Sequence, residues 1–257
     1  MTNPPGWEVH RFGPAPRVVL HVPHAGLAIP PDVRADIALD DDALAAELAA
    51  MTDRHTDVLA LRAAEAAQVA GVDSVVVVNR LSRLVVDPER LPDPDEPMAE
   101  IGMGRVYLAT SSLGRLRDPD PARDADLVAR FFDPCAAAVA GAVDEVLDAR
   151  SEVTIVDVHS YPRRPLPYEA DPAAARPGVC LGTDPFHTPA DLVDVARGAF
   201  DGVAGGVALD TPLAGTYVPL AHLGTNPGVR SLMVEIRRDT YMDEATLDIH
   251  DGTHDVV

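Results

Sequence analysis

The feature that most restricts the fold of this sequence is the alternation of short apolar runs with alanine-rich helical stretches. Runs typical of buried strands lie at 17–22, 75–78, 151–160, 177–184 and 229–238. The stretches between them predict helices at 40–51, 54–70, 121–149 and 189–200. Strands and helices in alternation are the signature of the α/β class. No convincing linker divides the chain, so we expect a single domain over residues 1–257.

Composition and charge exclude several functional classes. The formal net charge is −20 without any basic cluster, so we expect no nucleic-acid partner. All 21 basic residues are arginines, which excludes enzymes that depend on a Schiff-base or P-loop lysine.

The expected location follows from three further absences. No apolar run reaches the roughly 18 residues of a membrane helix, and the N-terminus lacks the apolar core of a secretory signal. Cys135 and Cys180 are far apart and outside any CxxC motif, which favours two reduced thiols in the core. We therefore expect a cytoplasmic protein without a membrane partner. We also expect a monomer or small homo-oligomer whose partner is a small-molecule substrate.

Polar residues near strand ends are informative because α/β sheets place their sites there. His24 follows the first strand, His159 closes TIVDVHS, and Glu235 lies among apolar neighbours in LMVEIRR. Burying an unpaired carboxylate costs several kcal/mol. Two interpretations remain open: Glu235 forms an internal ion pair with Arg237 or Arg238, or it is a general base whose pKa is raised by burial.

The histidines suggest a metal. Two imidazoles and one carboxylate are the ligand set of catalytic zinc, so His24 and His159 could bind it with Asp53 or Asp57 of TDRHTD. Helical spacing would put Asp53 and Asp57 on one face. Asp157, two residues before His159, could orient a metal-bound imidazole or form a simple buried hydrogen bond.

Arginines cluster after the second strand, in NRLSRLVVDPER. Arg80, Arg83 and Arg90 could neutralise nearby carboxylates, or could grip a substrate carboxylate and polarise a scissile carbonyl. The proline- and acid-rich stretch at 87–105 predicts a long loop over the surface or the site.

Six motifs in order resemble the N-formylglutamate amidohydrolase family: HVPHAG, TDRHTDVLA, SRLVVDPER, VDVHS, LGTD and VEIRRDTYMDE. They span residues 17–244. The resemblance implies a fold related to the zinc carboxypeptidases and aspartoacylases, with a mixed, mostly parallel sheet between helices and one zinc ion per chain.

The resemblance also implies roles. His24, Asp53 and His159 are the implied zinc ligands, with Asp57 as the alternative carboxylate. Glu235 is similar in place to the glutamate that activates water in the carboxypeptidase-like folds. One position departs from the family, which often has D-x-Asn-Arg where this chain has Asp-Pro-Glu-Arg at 87–90.

The expected reaction is zinc-dependent hydrolysis of the amide bond of an N-acyl acidic amino acid. For N-formyl-L-glutamate the products are formate and glutamate, as in histidine degradation. We expect Arg83 or the metal to stabilise the oxyanion and Arg90 to hold the substrate carboxylate with Tyr217. Arg80 and Arg237 are expected as further substrate contacts. The alternatives are a zinc deacylase or carboxypeptidase-like peptidase for another substrate, and a metal-free binding protein on a hydrolase scaffold.

Overall fold

The computed structural model of the chain describes residues 6–92 and 96–257, and the side chains of these apart from 254 and 255. The strands are β1 (Trp7–Phe12), β2 (Val18–Val22), β3 (Ser74–Asn79), β4 (Val153–Tyr161), β5 (Val179–Gly182), β6 (Val207–Leu209) and β7 (Val229–Arg237). The α-helices are α1 (Pro31–Ala35), α2 (Asp41–Met51), α3 (Thr56–Val69), α4 (Pro121–Leu127), α5 (Asp133–Ala149) and α6 (Ala190–Ala199).

The strands form one mixed sheet, in the order β1-β3-β2-β4-β7-β5-β6 over the described ranges. The pairs β3–β2, β2–β4, β4–β7 and β5–β6 are parallel, whereas β1–β3 and β7–β5 are antiparallel. The prediction of an α/β fold with a mixed, mostly parallel sheet is therefore confirmed.

Helices cover both faces of this sheet. Val75 and Val77 of β3 pack on one face with Val139 and Val143 of α5. The alternate residues of β3 pack on the opposite face, in the same cluster as Ala60 of α3. This arrangement explains why the sequence of β3 is continuously apolar over 75–78, as in strands that are buried on both faces.

Several elements differ from the sequence prediction. β1 was not predicted because it is a half-exposed edge strand with polar residues, and β6 was not predicted because it has only three residues. The helix expected at 121–149 is interrupted by a π-helical turn, Val128–Phe132. The loop expected at 87–105 contains a short 3-10 helix, Pro97–Ile101, and its residues 93–95 lie outside the described residues. No helix of the described ranges is both long and apolar enough to cross a membrane.

Candidate active site

Three neighbouring strands bring polar side chains to one edge of the sheet. His24 follows β2, while His159 and Glu235 lie near the carboxyl ends of β4 and β7. The register pairs His159 directly with Glu235. Because β2, β4 and β7 are consecutive and parallel, their carboxyl ends meet at this edge. These three residues therefore lie close to strand ends at one edge of the sheet, where the sequence predicts them.

The two imidazoles and Asp53 form a compact triangle of ligand atoms. Nδ1 of His24 lies 3.2 Å from Nδ1 of His159. Oδ2 of Asp53 lies 3.1 Å from Nδ1 of His159 and 3.6 Å from Nδ1 of His24. Ligands that bind tetrahedral zinc at about 2.0–2.2 Å are about 3.3–3.6 Å apart from one another. The atoms of the triangle are therefore spaced close to the ligands of a zinc site, and the donor set could hold that metal.

Asp53 reaches the triangle from the loop between α2 and α3, so the argument that helical spacing places Asp53 and Asp57 on one face is wrong. The backbone amide of Asp53 donates to the carbonyl of His24 at 3.0 Å, and Nη2 of Arg238 donates to Oδ1 of Asp53 at 3.2 Å. Burial acts to raise the pKa of Asp53, but hydrogen bonds from His159 and His24 outweigh it and lower that pKa. Asp53 is therefore ionised and can serve as an anionic ligand.

The second ring nitrogen of each imidazole faces carboxylates. Nε2 of His24 lies 2.8 Å from Oδ1 of Asp87. Nε2 of His159 lies 3.0 Å from Oε1 of Glu89 and 3.3 Å from Oδ1 of Asp157. Burial acts to lower the pKa of His159, but Glu89 and Asp157 raise it well above its ordinary value. With Nε2–H donated to these carboxylates, loss of the Nδ1 proton would leave Nδ1 as the atom that binds a metal.

Asp87 also contacts two arginines of the loop after β3, Arg83 and Arg90. Nη2 of Arg83 donates to Oδ2 of Asp87 at 2.7 Å, and the hydroxyl of Tyr107 donates to the same oxygen at 2.5 Å. Nε of Arg90 lies 3.3 Å from this oxygen. Burial acts to raise the pKa of Asp87, but Arg83 and His24 lower it well below its ordinary range. One buried carboxylate thus anchors Arg83 and Arg90, two of the four arginines that were expected to meet substrate.

Glu235 differs from these carboxylates because its Oε2 is buried without a hydrogen-bond partner among the described residues. Burial raises the pKa of Glu235 to about 8, against the effect of the facing imidazole. Arg238 instead contacts Asp53, and Arg237 contacts Asp239 at 2.6 Å. The internal ion pair proposed for Glu235 is therefore not formed, and its properties suit a proton acceptor beside the triangle.

A cleft of about 810 Å³ opens over the triangle. Its polar wall contains His24, Arg83, Glu89, Arg90, Asp157, His159, Tyr217 and Glu235. Arg83 and Glu235 also line a smaller cavity of about 40 Å³. Arg83, Arg90 and Tyr217 thus lie where a substrate could contact them.

Two of the arginines expected to contact substrate, Arg80 and Arg237, do not line the cleft. Arg80 donates to Asp57 at 2.5 Å and to Glu8 at 2.7 Å, at a partly exposed position outside the cleft wall. Arg237 is held by Asp239 and is likewise absent from that wall. The structure therefore separates Asp53 and Arg83, at the site, from Asp57 and Arg80.

Sequence reasoning missed Tyr107 altogether. It lies in a loop, 20 residues beyond Asp87, and neither a strand end nor a motif marks it. The role of Arg238 as the partner of Asp53 was also missed, because the two residues are 185 positions apart. Contacts of this kind depend on tertiary structure and leave no local pattern.

Comparisons with known proteins agree with this fold. The N-formylglutamate amidohydrolase from Ralstonia eutropha JMP134 superposes with a TM-score of 0.75 and 22% identity, covering 97% of this chain and 92% of its own. A gene product of Agrobacterium tumefaciens superposes with a TM-score of 0.71 and 20% identity, covering 95% and 89%. At such identities the likeness establishes the fold alone. No curated protein matches the chain significantly.

The family assignment comes from a sequence model. The model of the N-formylglutamate amidohydrolases matches residues 16–242, which include every strand end described above except that of the edge strand β1. Because this match extends over most of the chain, the protein belongs to the N-formylglutamate amidohydrolase family.

Proposed function

We propose that this amidohydrolase uses one zinc ion, held by His24, Asp53 and His159, to hydrolyse the amide bond of an N-acyl amino acid. The proposed reaction is N-formyl-L-glutamate plus water to formate plus L-glutamate, a step of histidine degradation. The observation that carries the proposal is the triangle of two Nδ1 atoms and one carboxylate oxygen beside the unpartnered Oε2 of Glu235.

Glu235 is the proposed general base. When bound, zinc supplies Lewis acidity, which polarises a carbonyl and acidifies water. Glu235 takes a proton from the attacking water on Oε2 and later delivers it to the leaving amine. A pKa near neutrality suits both transfers, since a group of this kind can accept and donate at similar pH.

The arginine loop is proposed to bind and orient the substrate. Arg83 lines the cleft, and its Nε and Nη2 are held by Tyr107 and Asp87, so its orientation is fixed before substrate arrives. We assign it to the oxyanion of the tetrahedral intermediate. Arg90 and Tyr217 line the same cleft, and we assign them to the substrate carboxylate.

Metal analysis and a substrate assay test this function. We expect about one zinc per chain, loss of activity in chelator and recovery with Zn²⁺, together with release of formate and glutamate from N-formyl-L-glutamate. Protein without transition metal whose activity is unaffected by chelator would contradict the zinc proposal. Binding of the amide without turnover would favour the metal-free binding protein instead.

The rival substrates can be compared in the same assay. The cleft of about 810 Å³ favours testing a larger deacylase or peptidase substrate. N-acetyl-L-glutamate and a C-terminal glutamyl dipeptide are the matched compounds. Faster hydrolysis of the dipeptide would replace the proposed reaction with a carboxypeptidase-like one. For the location we propose the cytoplasm, since Cys135 and Cys180 are both free buried thiols.

A further inference from the structure

The cleft over the triangle is larger than the proposed substrate requires. Clefts of about 300 to 1,000 Å³ enclose drug-sized ligands, and this one measures about 810 Å³. N-formyl-L-glutamate has only about a dozen heavy atoms, which is small for such a cleft. Space therefore remains beyond the polar wall where the triangle and Glu235 lie.

One side of the remaining space is formed by the start of α5 and the turn before it. Phe132, Ala136, Ala137 and Ala140 line it. Phe132 ends the π-helical turn, and such turns change which side chains face a site. The three alanines are short, so the surface they leave is apolar and recessed.

The other side is formed by the segment at 213–223. It contributes Leu213, Val218, Pro219, Leu220 and Leu223 to the cleft. The side chain of Leu220 is 55% exposed, although it lies at a concave surface. Apolar side chains that line a concavity are typical of ligand-binding grooves.

The occupant is indicated by continuity with the catalytic cluster. The apolar walls and Glu235 line the same cleft. A molecule whose amide lies at Glu235 can therefore reach the apolar walls without leaving the cleft. A polar extension would lose hydrogen bonds with water there, whereas an apolar one would gain from burial.

We infer that this cleft binds an apolar extension of the amide substrate, an aliphatic or aromatic group well beyond the size of a formyl or acetyl group. The inference rests on the proposed amide hydrolysis at Glu235 and extends its substrate class. The extension belongs to either the acyl chain or the side chain of the amino acid, and both have the same apolar chemistry.

Two substrate series distinguish these sources. One lengthens the acyl group on L-glutamate from formyl to acetyl, hexanoyl and decanoyl. The other keeps the formyl group and enlarges the amino acid from glycine to norvaline, norleucine and phenylalanine. We expect kcat/KM to rise about fourfold per added methylene in one series, until the cleft is filled.

The failures of the two proposals are separable. Hydrolysis of N-formyl-L-glutamate with kcat/KM flat or falling in both series would overturn this inference and leave the proposed function intact. If no amide is turned over, the proposed function fails, and thermal stabilisation by the same compounds decides the inference. Equal shifts in Tm from short and long compounds would overturn it.

Variants on α5 connect the effect to the wall. Ala137→Leu should lower kcat/KM about tenfold for the preferred long substrate and much less for its short homologue, because the added side chain occupies the cleft. Gly141→Ala is the matched control, since an added Cβ there meets no atom within 4 Å and Gly141 does not line the cleft. Ala140→Leu repeats the test one turn along the helix. An equal effect on long and short substrates in both cleft variants would contradict the inference.

Discussion

Two groups of charged residues in this molecule look alike in sequence and differ in structure. The inner group contains Asp53 and Arg83, which lie at the triangle and the cleft wall. The outer group contains Asp57 and Arg80, which pair with each other at 2.5 Å, and Glu8, which pairs with Arg80. Asp53 and Asp57 are four positions apart, and Arg80 and Arg83 are three apart. The local sequence alone therefore does not distinguish the two aspartates or the two arginines.

The difference lies in burial and in the number of partners. Asp53 is 3% exposed and is contacted by two histidines and an arginine from other segments. Arg80 is about one third exposed, and exposed ion pairs stabilise a protein by only about 0–1 kcal/mol. Matched substitutions in the two groups should therefore have very different effects.

The largest contrast is expected between the glutamates. Glu235→Gln should lower kcat roughly 10²- to 10⁴-fold while zinc stays bound, because the proton acceptor is removed and the ligands are kept. Glu8→Gln should leave kcat unchanged. Steady-state kinetics with zinc analysis of both variants checks this. If Glu235→Gln loses zinc or unfolds, Glu235 is a ligand or a structural residue.

The aspartates should differ in metal affinity. Asp53→Asn should weaken zinc binding about 10²- to 10³-fold, if the roughly 10–16 kcal/mol of a four-ligand site is divided evenly. Asp57→Asn should bind zinc as the wild type does. Competition titration with a chromophoric chelator gives both dissociation constants, and circular dichroism verifies folding. The reverse result would make Asp57 the ligand.

A pH experiment on metal-free protein compares the same glutamates by stability. The pKa of Glu235 is raised from 4.5 to about 8, so between these values the folded protein binds more protons than the unfolded chain. Its contribution to the free energy of unfolding is thus complete below about pH 4.5 and is lost as pH rises towards 8. Over this range the free energy of unfolding of the wild type should fall by a few kcal/mol relative to that of Glu235→Gln, as measured by urea unfolding.

Glu8 provides the control with the opposite sign. A hydrogen bond from Arg80 lowers the pKa of Glu8, so its contribution is lost only as pH falls below its ordinary value. The free energy of unfolding of Glu8→Gln should therefore change with pH in parallel with that of the wild type from pH 5 to 8. A curve for Glu235→Gln that also runs parallel would refute the raised pKa of Glu235.

The smallest contrast is expected between the arginines. Arg83→Lys should lower kcat about tenfold and change KM less, because lysine keeps the charge but loses the fixed geometry provided by Asp87 and Tyr107. Arg80→Lys should leave both constants unchanged. A rise in KM alone for Arg83→Lys would assign this residue to substrate binding instead of the oxyanion.

Much of the fold was predictable from sequence because its signals are local. The buried strands and amphipathic helices were found within a few residues of their ends, and His24, His159 and Glu235 followed from strand ends. β1 and β6 were not found because an edge strand and a three-residue strand carry weak patterns.

The partners within the site were less predictable. Tyr107 and Arg238 are positioned by loops and by a turn after β7, and their contacts join segments distant in sequence. Asp53, and not Asp57, lies at the triangle, where its backbone amide donates to the carbonyl of His24, and spacing cannot reveal that contact. Local pattern thus identifies residue types, whereas the assignment of each residue needs the tertiary structure.

The pairing of His159 with Glu235 across β4 and β7 has a consequence for how this protein loses activity on heating. Both residues belong to central, hydrogen-bonded strands, so their relative position changes only when the sheet itself opens. Asp53 and Glu89 lie outside regular elements and can be displaced by smaller, local fluctuations. Inactivation below the melting temperature should therefore begin with the loops, while amide hydrogens of β4 and β7 remain protected from exchange.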